Sequence, residues 1–151
     1  MNAPTVEPAL LPFHAEWHAV RTWHHNVLIE GSEAASDRVL ALLKPHLPEP
    51  SVWRRPPAPL ELPTGKIASL VLENVGALND HDQNRLLAWL EGEGSSAQLV
   101  ALSTDALYAR VVAGTFVPDL YYRLNVVLLR VNDTSPADLR ECDAVDESQP
   151  E

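Results

Sequence analysis

Ser69-Leu70-Val71-Leu72-Glu73-Asn74 passes from an apolar run to polar residues in one step. A short, continuous apolar run has the pattern of a strand covered on both faces, as strands of a parallel sheet are. Downstream, Asn79 can cap a helix from Asp80 to Glu91, with Leu86, Leu87 and Leu90 on one face and Gly92 and Gly94 closing it. Gln98 to Leu102 reads as another buried strand, and Ala106 to Ala113 as a short helix closed by Gly114. Asn125 to Val131 reads as a further strand. Upstream, Phe13 to His25 places Trp17, Val20 and His24 at helical spacing, and Val27-Leu28-Ile29 is a strand. Gly31 to Ala35 reads as a turn. Asp37 to His46 reads as a helix with a stripe of Val39, Leu40, Leu42 and Leu43. Prolines 48, 50, 56, 57, 59 and 63 mark a connector, with room for a short edge strand near Val52 or Leu60. Strands alternating with helices predict an α/β three-layer sandwich around a mostly parallel sheet.

The chain has 151 residues, 46% of them apolar, enough for one domain with a core. Eleven Lys and Arg stand against 21 Asp and Glu, a formal net charge of −10. That balance argues against direct DNA binding, because the phosphate backbone rewards clustered basic residues. Cys142 is the lone cysteine, so no disulfide framework or Cys-rich metal site is expected. No apolar run approaches the roughly 20 residues needed to cross a bilayer. A cytoplasmic location, with no membrane contact, is the expectation. Residues 1–12 read as a flexible leader. Residues 132–151, with seven acids against Arg140, read as an acidic disordered tail.

Gly114-Thr115-Phe116, Asp119-Leu120 and Tyr121-Tyr122-Arg123-Leu124-Asn125-Val126 resemble the Gly-x-Phe-Arg-x-Asp-Leu-Tyr-Tyr-Arg-Leu-Asn-Val stretch of sigma-54-dependent transcription activators. Ser69 to Gly76 resembles that family's Walker B strand, usually Thr-Leu-Phe-Leu-Asp-Glu-Ile-Gly. Asp82 to Glu91 resembles its Leu-Leu-Arg-Val-Leu-Gln helix, and Val27 to Gly31 the strand entering its P-loop. The resemblance runs from about Asn26 to about Val131. It implies a P-loop NTPase core of the AAA+ type over residues 13–131, in bacterial transcription control.

The departures from the family pattern fall on the nucleotide site. In register with Gly-x-x-x-x-Gly-Lys stand Gly31, then Ser36 and Asp37. Ser36 adds a Cβ where the backbone should approach phosphate closely. Asp37 puts a negative charge where the lysine belongs; two like charges about 4 Å apart repel by about 1 kcal/mol in water and several-fold more near a protein surface. The Walker B pair Asp-Glu is Glu73 and Asn74, and an amide cannot serve as a base. The sensor position, usually Asn, falls at Thr104. Of the family's two arginines, the first is Val117 and the second Arg123. The Gly-Ala-Phe-Thr-Gly-Ala loop that touches the sigma factor is not readable between residues 48 and 63. The helical lid is not readable after Val131.

Other motifs have plainer readings. Thr64-Gly65-Lys66 resembles a P-loop end but precedes the wrong strand. His14 and His18, spaced i, i+4, need a third ligand to hold a metal, so no metal site is expected. Trp17, Trp23 and Trp89 read as core or shoulder aromatics. Trp53, beside Arg54-Arg55, reads as a loop residue packing on the domain, or as a partner anchor.

The expectation from the sequence is a non-hydrolysing AAA+-like module with no catalytic residue and no cofactor. It acts through a protein partner, either a full-length sigma-54 activator or a signalling protein, with oligomers allowed. Gly31, Ser36, Asp37, Glu73, Asn74 and Thr104 are vestigial nucleotide-site positions, and Tyr121, Tyr122 and Arg123 are the candidate interface. The alternative is a weak ATPase, under which ATP and magnesium return as cofactors. A receiver-like signalling domain ranks last, because receivers need several acids at strand ends and Glu73 stands alone.

Overall fold

The computed structural model describes residues 14–57 and 59–131. The leader over 1–12, the acidic tail over 132–151 with Cys142, and the expected absence of a lid there lie outside the described residues. The elements in chain order are α1 (His14–Trp23), β1 (Val27–Gly31), α2 (Glu33–Leu43), β2 (Ser51–Arg54), β3 (Ser69–Leu72), α3 (Asp80–Glu91), β4 (Gln98–Ser103), α4 (Leu107–Ala113), α5 (Pro118–Leu124) and β5 (Val127–Val131). Short 3-10 turns follow α2 at Lys44–His46 and β3 at Val75–Ala77.

The five strands form one sheet in the order β2-β3-β4-β1-β5, and every pairing is parallel. Burial explains which strands were apolar throughout. The three inner strands β3, β4 and β1 bury nearly all of their residues, whereas β2 at one edge is half-buried along its length. β5, at the other edge, turns Arg130 outward. Side chains alternate between two cores. Leu28, Leu70, Leu72, Leu99 and Ala101 face α3, α4 and α5, where they meet Leu86, Leu90, Leu107, Leu120 and Leu124. Val27, Ile29, Val71, Val100 and Leu102 face the other way, toward Trp17 and Val20 of α1 and Val39, Leu40 and Leu43 of α2. This is the expected three-layer arrangement.

Two elements depart from the sequence reading. α2 begins at Glu33, so most of the expected turn over Gly31–Ala35 is the first turn of that helix. α5 was not anticipated. Pro118 sits at its first position, where the missing N–H costs nothing, and the helix buries Leu120, Tyr121 and Leu124. β5 accordingly starts at Val127 rather than Asn125. No helix among the described residues is long and apolar enough to cross a membrane.

Candidate functional site

The carboxyl ends of β1, β3 and β4 open onto a cavity of about 260 Å³ lined by Glu33, Ser36, Asp37, Arg55, Glu73, Asn74, Leu102, Ser103 and Thr104. Ligands of parallel α/β sheets settle at this edge. Five of the six expected nucleotide-site positions (Ser36, Asp37, Glu73, Asn74 and Thr104) come together there. Gly31 stands just before, at the end of β1. Its glycine has a packing reason: a Cβ would collide with the backbone carbonyl oxygen of Val131 on β5.

A single residue, Ser32, separates β1 from α2. Its Oγ accepts the N–H of Ala35 at 3.1 Å, and its carbonyl accepts the N–H of Ser36 at 2.9 Å. Ser32 therefore takes one of the free N–H donors at the helix start, as an N-cap does. No five-residue arch stands there to wrap a phosphate chain. Ser36 lies on the inner side of α2, buried, with an Oγ that has no hydrogen-bond partner. Asp37, one residue on, is exposed.

At the end of β3 the chain turns sharply. Asn74 takes a left-handed conformation (φ 61°), which asparagine tolerates better than most residues. Its Nδ2 donates to the Pro56 carbonyl at 3.1 Å. That bond fixes the segment after β2 beside the cavity and brings in a residue the sequence reading did not place there. Arg55 donates through Nη1 to Glu73 Oε1 at 2.6 Å and through Nη2 to Glu33 Oε2 at 2.7 Å. The hydrogen bonds to Glu73, then to Glu33, hold its guanidinium protonated even beyond the ordinary arginine range. Arg55 thus spans the cavity from the first turn of α2 to the end of β3. Its partners are 22 and 18 residues away, so only the Arg54-Arg55 pair itself was visible in the sequence. Ser103 closes the third side, bonding its Oγ to the backbone of Asp105.

The second candidate group lies apart, on α5. Tyr121 corrects the interface reading: it is 4% exposed and belongs to the core. Burial raises its pKa, and the charge of Glu30 adds to the rise. Tyr122 and Arg123 are exposed, and Arg123 makes only a loose ion pair with Glu91 at 3.7 Å. The Tyr108 and Tyr122 rings flank Tyr121 at 5.6 and 5.4 Å.

The remaining motifs resolve simply. Trp53 packs against the α1–α2 core, with the Lys44 ammonium 5.6 Å from its ring centre. Gly65 is a bend with φ 95°, no helix follows Lys66, and neither residue lines the cavity. Trp23 is exposed, Trp17 and Trp89 are buried, and His18 meets Thr22 on its own helix. Among the described residues no three His, Cys, Asp or Glu side chains are grouped to hold a metal.

The sigma-54 interaction domain model matches residues 57–133, about half the chain. Among solved structures, NtrX from Brucella abortus in complex with ATP superposes with a TM-score of 0.64 at 18% identity, covering 87% of this chain and 39% of its own. The P-loop NTPase domain of a sigma-54 transport activator from E. coli gives 0.57 at 13% identity, covering 83% of this chain and 98% of its own. The T158V form of Thermotoga maritima RuvB gives 0.59 at 13% identity, over 95% of this chain and 52% of its own. The chain therefore spans about two fifths of the NtrX chain it resembles. No curated protein matches it. The fold is the P-loop NTPase core of AAA+ proteins.

Proposed function

Since this chain belongs to the sigma-54 interaction domain family, we propose that it is a member that has left ATP hydrolysis behind and regulates by binding another protein. The observation that carries this reading is Arg55 bridged between Glu33 and Glu73. A nucleotide site needs an unopposed cation for the terminal phosphates and a cradle of free backbone N–H groups. Here the cation is already matched by two carboxylates, Asp37 adds a third negative charge, and Ser32 takes the N–H of Ala35. Asn74 stands where a water-orienting carboxylate would act, and its amide is committed to Pro56.

The partner-binding half of the proposal rests on α5. Tyr122 and Arg123 are exposed on α5, and the exposed Tyr108 of α4 packs, like Tyr122, on the ring of Tyr121. Tyrosine and arginine are the side chains that most often anchor protein contacts. We assign the partner to the class of full-length sigma-54 activators or their signalling proteins, because the chain's own surface, at a net charge of −10, does not suit DNA.

A second reading has one observation in its favour. Arg55 is a cation inside the cavity, and if it left Glu33 and Glu73 it would meet phosphate in the lysine's stead. That would make the protein a weak ATPase with Glu73 at the magnesium.

Two assays on the purified chain separate these readings. Phosphate release from Mg·ATP stays at the buffer rate under the first; release above buffer that is lost in Arg55→Ala and Glu73→Gln establishes the second. Sedimentation with a purified full-length sigma-54 activator yields a complex that Arg123→Glu weakens at least tenfold; absence of any complex contradicts the activator assignment.

A further inference from the structure

We propose that residues 132–151 turn back and dock on the outer face of α4 and α5, so that the chain carries its own occupant for that face. The docking stands on contacts within one chain and does not depend on the partner proposed above; a partner using the same face would have to compete with it.

The face is the first observation. Apart from Arg110, α4 is apolar, yet Leu107 alone of its seven residues is buried. Tyr108 and Val112 stand four residues apart, so they share one side of the helix, and they are 48% and 72% exposed. Tyr122 on α5 is exposed too, and the buried ring of Tyr121 joins it to Tyr108 at 5.4 and 5.6 Å. Of the large apolar side chains exposed among the described residues, all but Trp23 lie between Tyr108 and Val126. Apolar side chains gathered on a surface in this way mark a contact.

Position selects the occupant. β5 ends at Val131, so residue 132 leaves the sheet there. The neighbouring Arg130 donates through Nε to Glu30 Oε1 at 3.2 Å, and Glu30 Oε2 accepts the N–H of Leu107, the first residue of α4, at 2.9 Å. The segment therefore sets out beside the start of α4, next to Tyr108. Extended, its 20 residues span roughly 66 Å, whereas a seven-residue helix is only about 10 Å long. It can cross the whole face.

Charge selects the same segment. Residues 107–131 hold Arg110, Arg123 and Arg130 against Asp119 alone, a net charge of +2 in a chain of −10. Arg110 is matched by Asp105 at 2.7 Å. Arg123 has only its loose pair with Glu91 at 3.7 Å, and Arg130 commits just its Nε to Glu30, with its side chain 66% exposed. A guanidinium carries five N–H donors, so both can take a further carboxylate. The segment supplies seven acids against Arg140, and sets Leu139 and Val145 among them to meet the apolar side of α4. A second copy apposing the same face would instead set arginine against arginine.

Cys142, the lone cysteine, provides the probe. A nitroxide attached to it in the full chain broadens the amide resonances of residues close by. Broadening is expected at Tyr108, Val112, Tyr122 and Arg123, and not in β2 at the far edge of the sheet. In about 1 M salt, where the Debye length falls to about 3 Å, it drops at least about twofold. Arg123→Glu, at an exposed position, lowers it in the same direction, and Arg38→Glu, exposed on α2, leaves it unchanged. Broadening absent from α4 and α5, spread evenly over the surface, or indifferent to Arg123→Glu overturns the proposal. So does equal broadening when the nitroxide sits on a separate, isotopically silent copy mixed with the observed one, because that assigns the contact to a second chain. Failure of the activator assignment is read by sedimentation and leaves these resonances as they are.

Discussion

Tyr121, read as a candidate interface residue, and Gly31, read as a vestigial nucleotide-site position, each have a part in holding the fold. Tyr121 lies in the family-like run, yet it is buried and its phenol is disfavoured as an anion, first by burial and then by Glu30. A raised folded pKa means the unfolded chain gives up this proton first, at about pH 10. The neutral phenol's contribution to stability is thus complete below about pH 10 and is lost as pH climbs through the raised folded value. Urea denaturation from pH 8 to 11 checks this: Tyr121→Phe differs from wild type by a constant amount below about pH 10 and gains on it above. A constant difference across the whole range contradicts the assignment. Gly31 looks like the opening glycine of a P-loop, but its bare Cα allows the Val131 carbonyl to pass. Gly31→Ala should cost about 2–3 kcal/mol, the scale of an overpacked core, because the colliding atom is backbone and cannot rotate away. An unchanged urea midpoint would show that β5 can shift to admit the methyl. Arg55 was legible only as half of an Arg-Arg pair, since what gives it a role is two distant carboxylates.

Among the elements, the inner strands were plain in the sequence because burial on both faces leaves nothing polar to confuse the pattern. α3 was plain because Asn79 caps it in the expected way, accepting the N–H of Asp82 at 2.8 Å. The start of α2 was not. Gly-Ser-Glu-Ala-Ala is small and polar enough to read as a turn, and only the Ser32 cap bond shows it to be a helix beginning. α5 hid behind the polar look of Pro118-Asp119 and behind the motif itself. Its entry is held from α3 by Gln83, a buried residue the sequence reading passed over. The Gln83 amide donates to the carbonyls of Leu78 at 2.9 Å and Thr115 at 3.2 Å, and accepts the N–H of Val117 at 2.8 Å. Gln83→Leu keeps the volume and strands those groups, so it should destabilise the protein by at least about 2 kcal/mol. It should also raise hydrogen exchange at Val117. Normal protection at that amide would show that the α4–α5 connection holds itself.

At the scale of the whole molecule, the sheet order and the three layers are those of the P-loop NTPase core, and the residues at the ends of β3 and β4 include Glu73, Asn74 and Thr104. A fold alone does not fix an activity. Here the wall of Glu33, Asp37 and Glu73 around Arg55 repeats in miniature the acidity of a chain with net charge −10. We propose that electrostatics at both scales turn polyphosphates away and that the exposed face of α5 is the route to a partner. The layered fold was legible because apolar strands alternate with helices, and the site positions were legible only through their register with the family's motifs; Arg55, the cation that bridges Glu33 and Glu73, was not, because it arrives on a loop.

The central claim, that the cavity rejects nucleotide, is tested most directly by following backbone amide resonances during titration with Mg·ATP. The account predicts that Ser32 to Asp37, Glu73, Asn74 and Thr104 keep their positions up to about 5 mM nucleotide, an occupancy that even a millimolar site would make plain. Saturable shifts confined to those amides would contradict it.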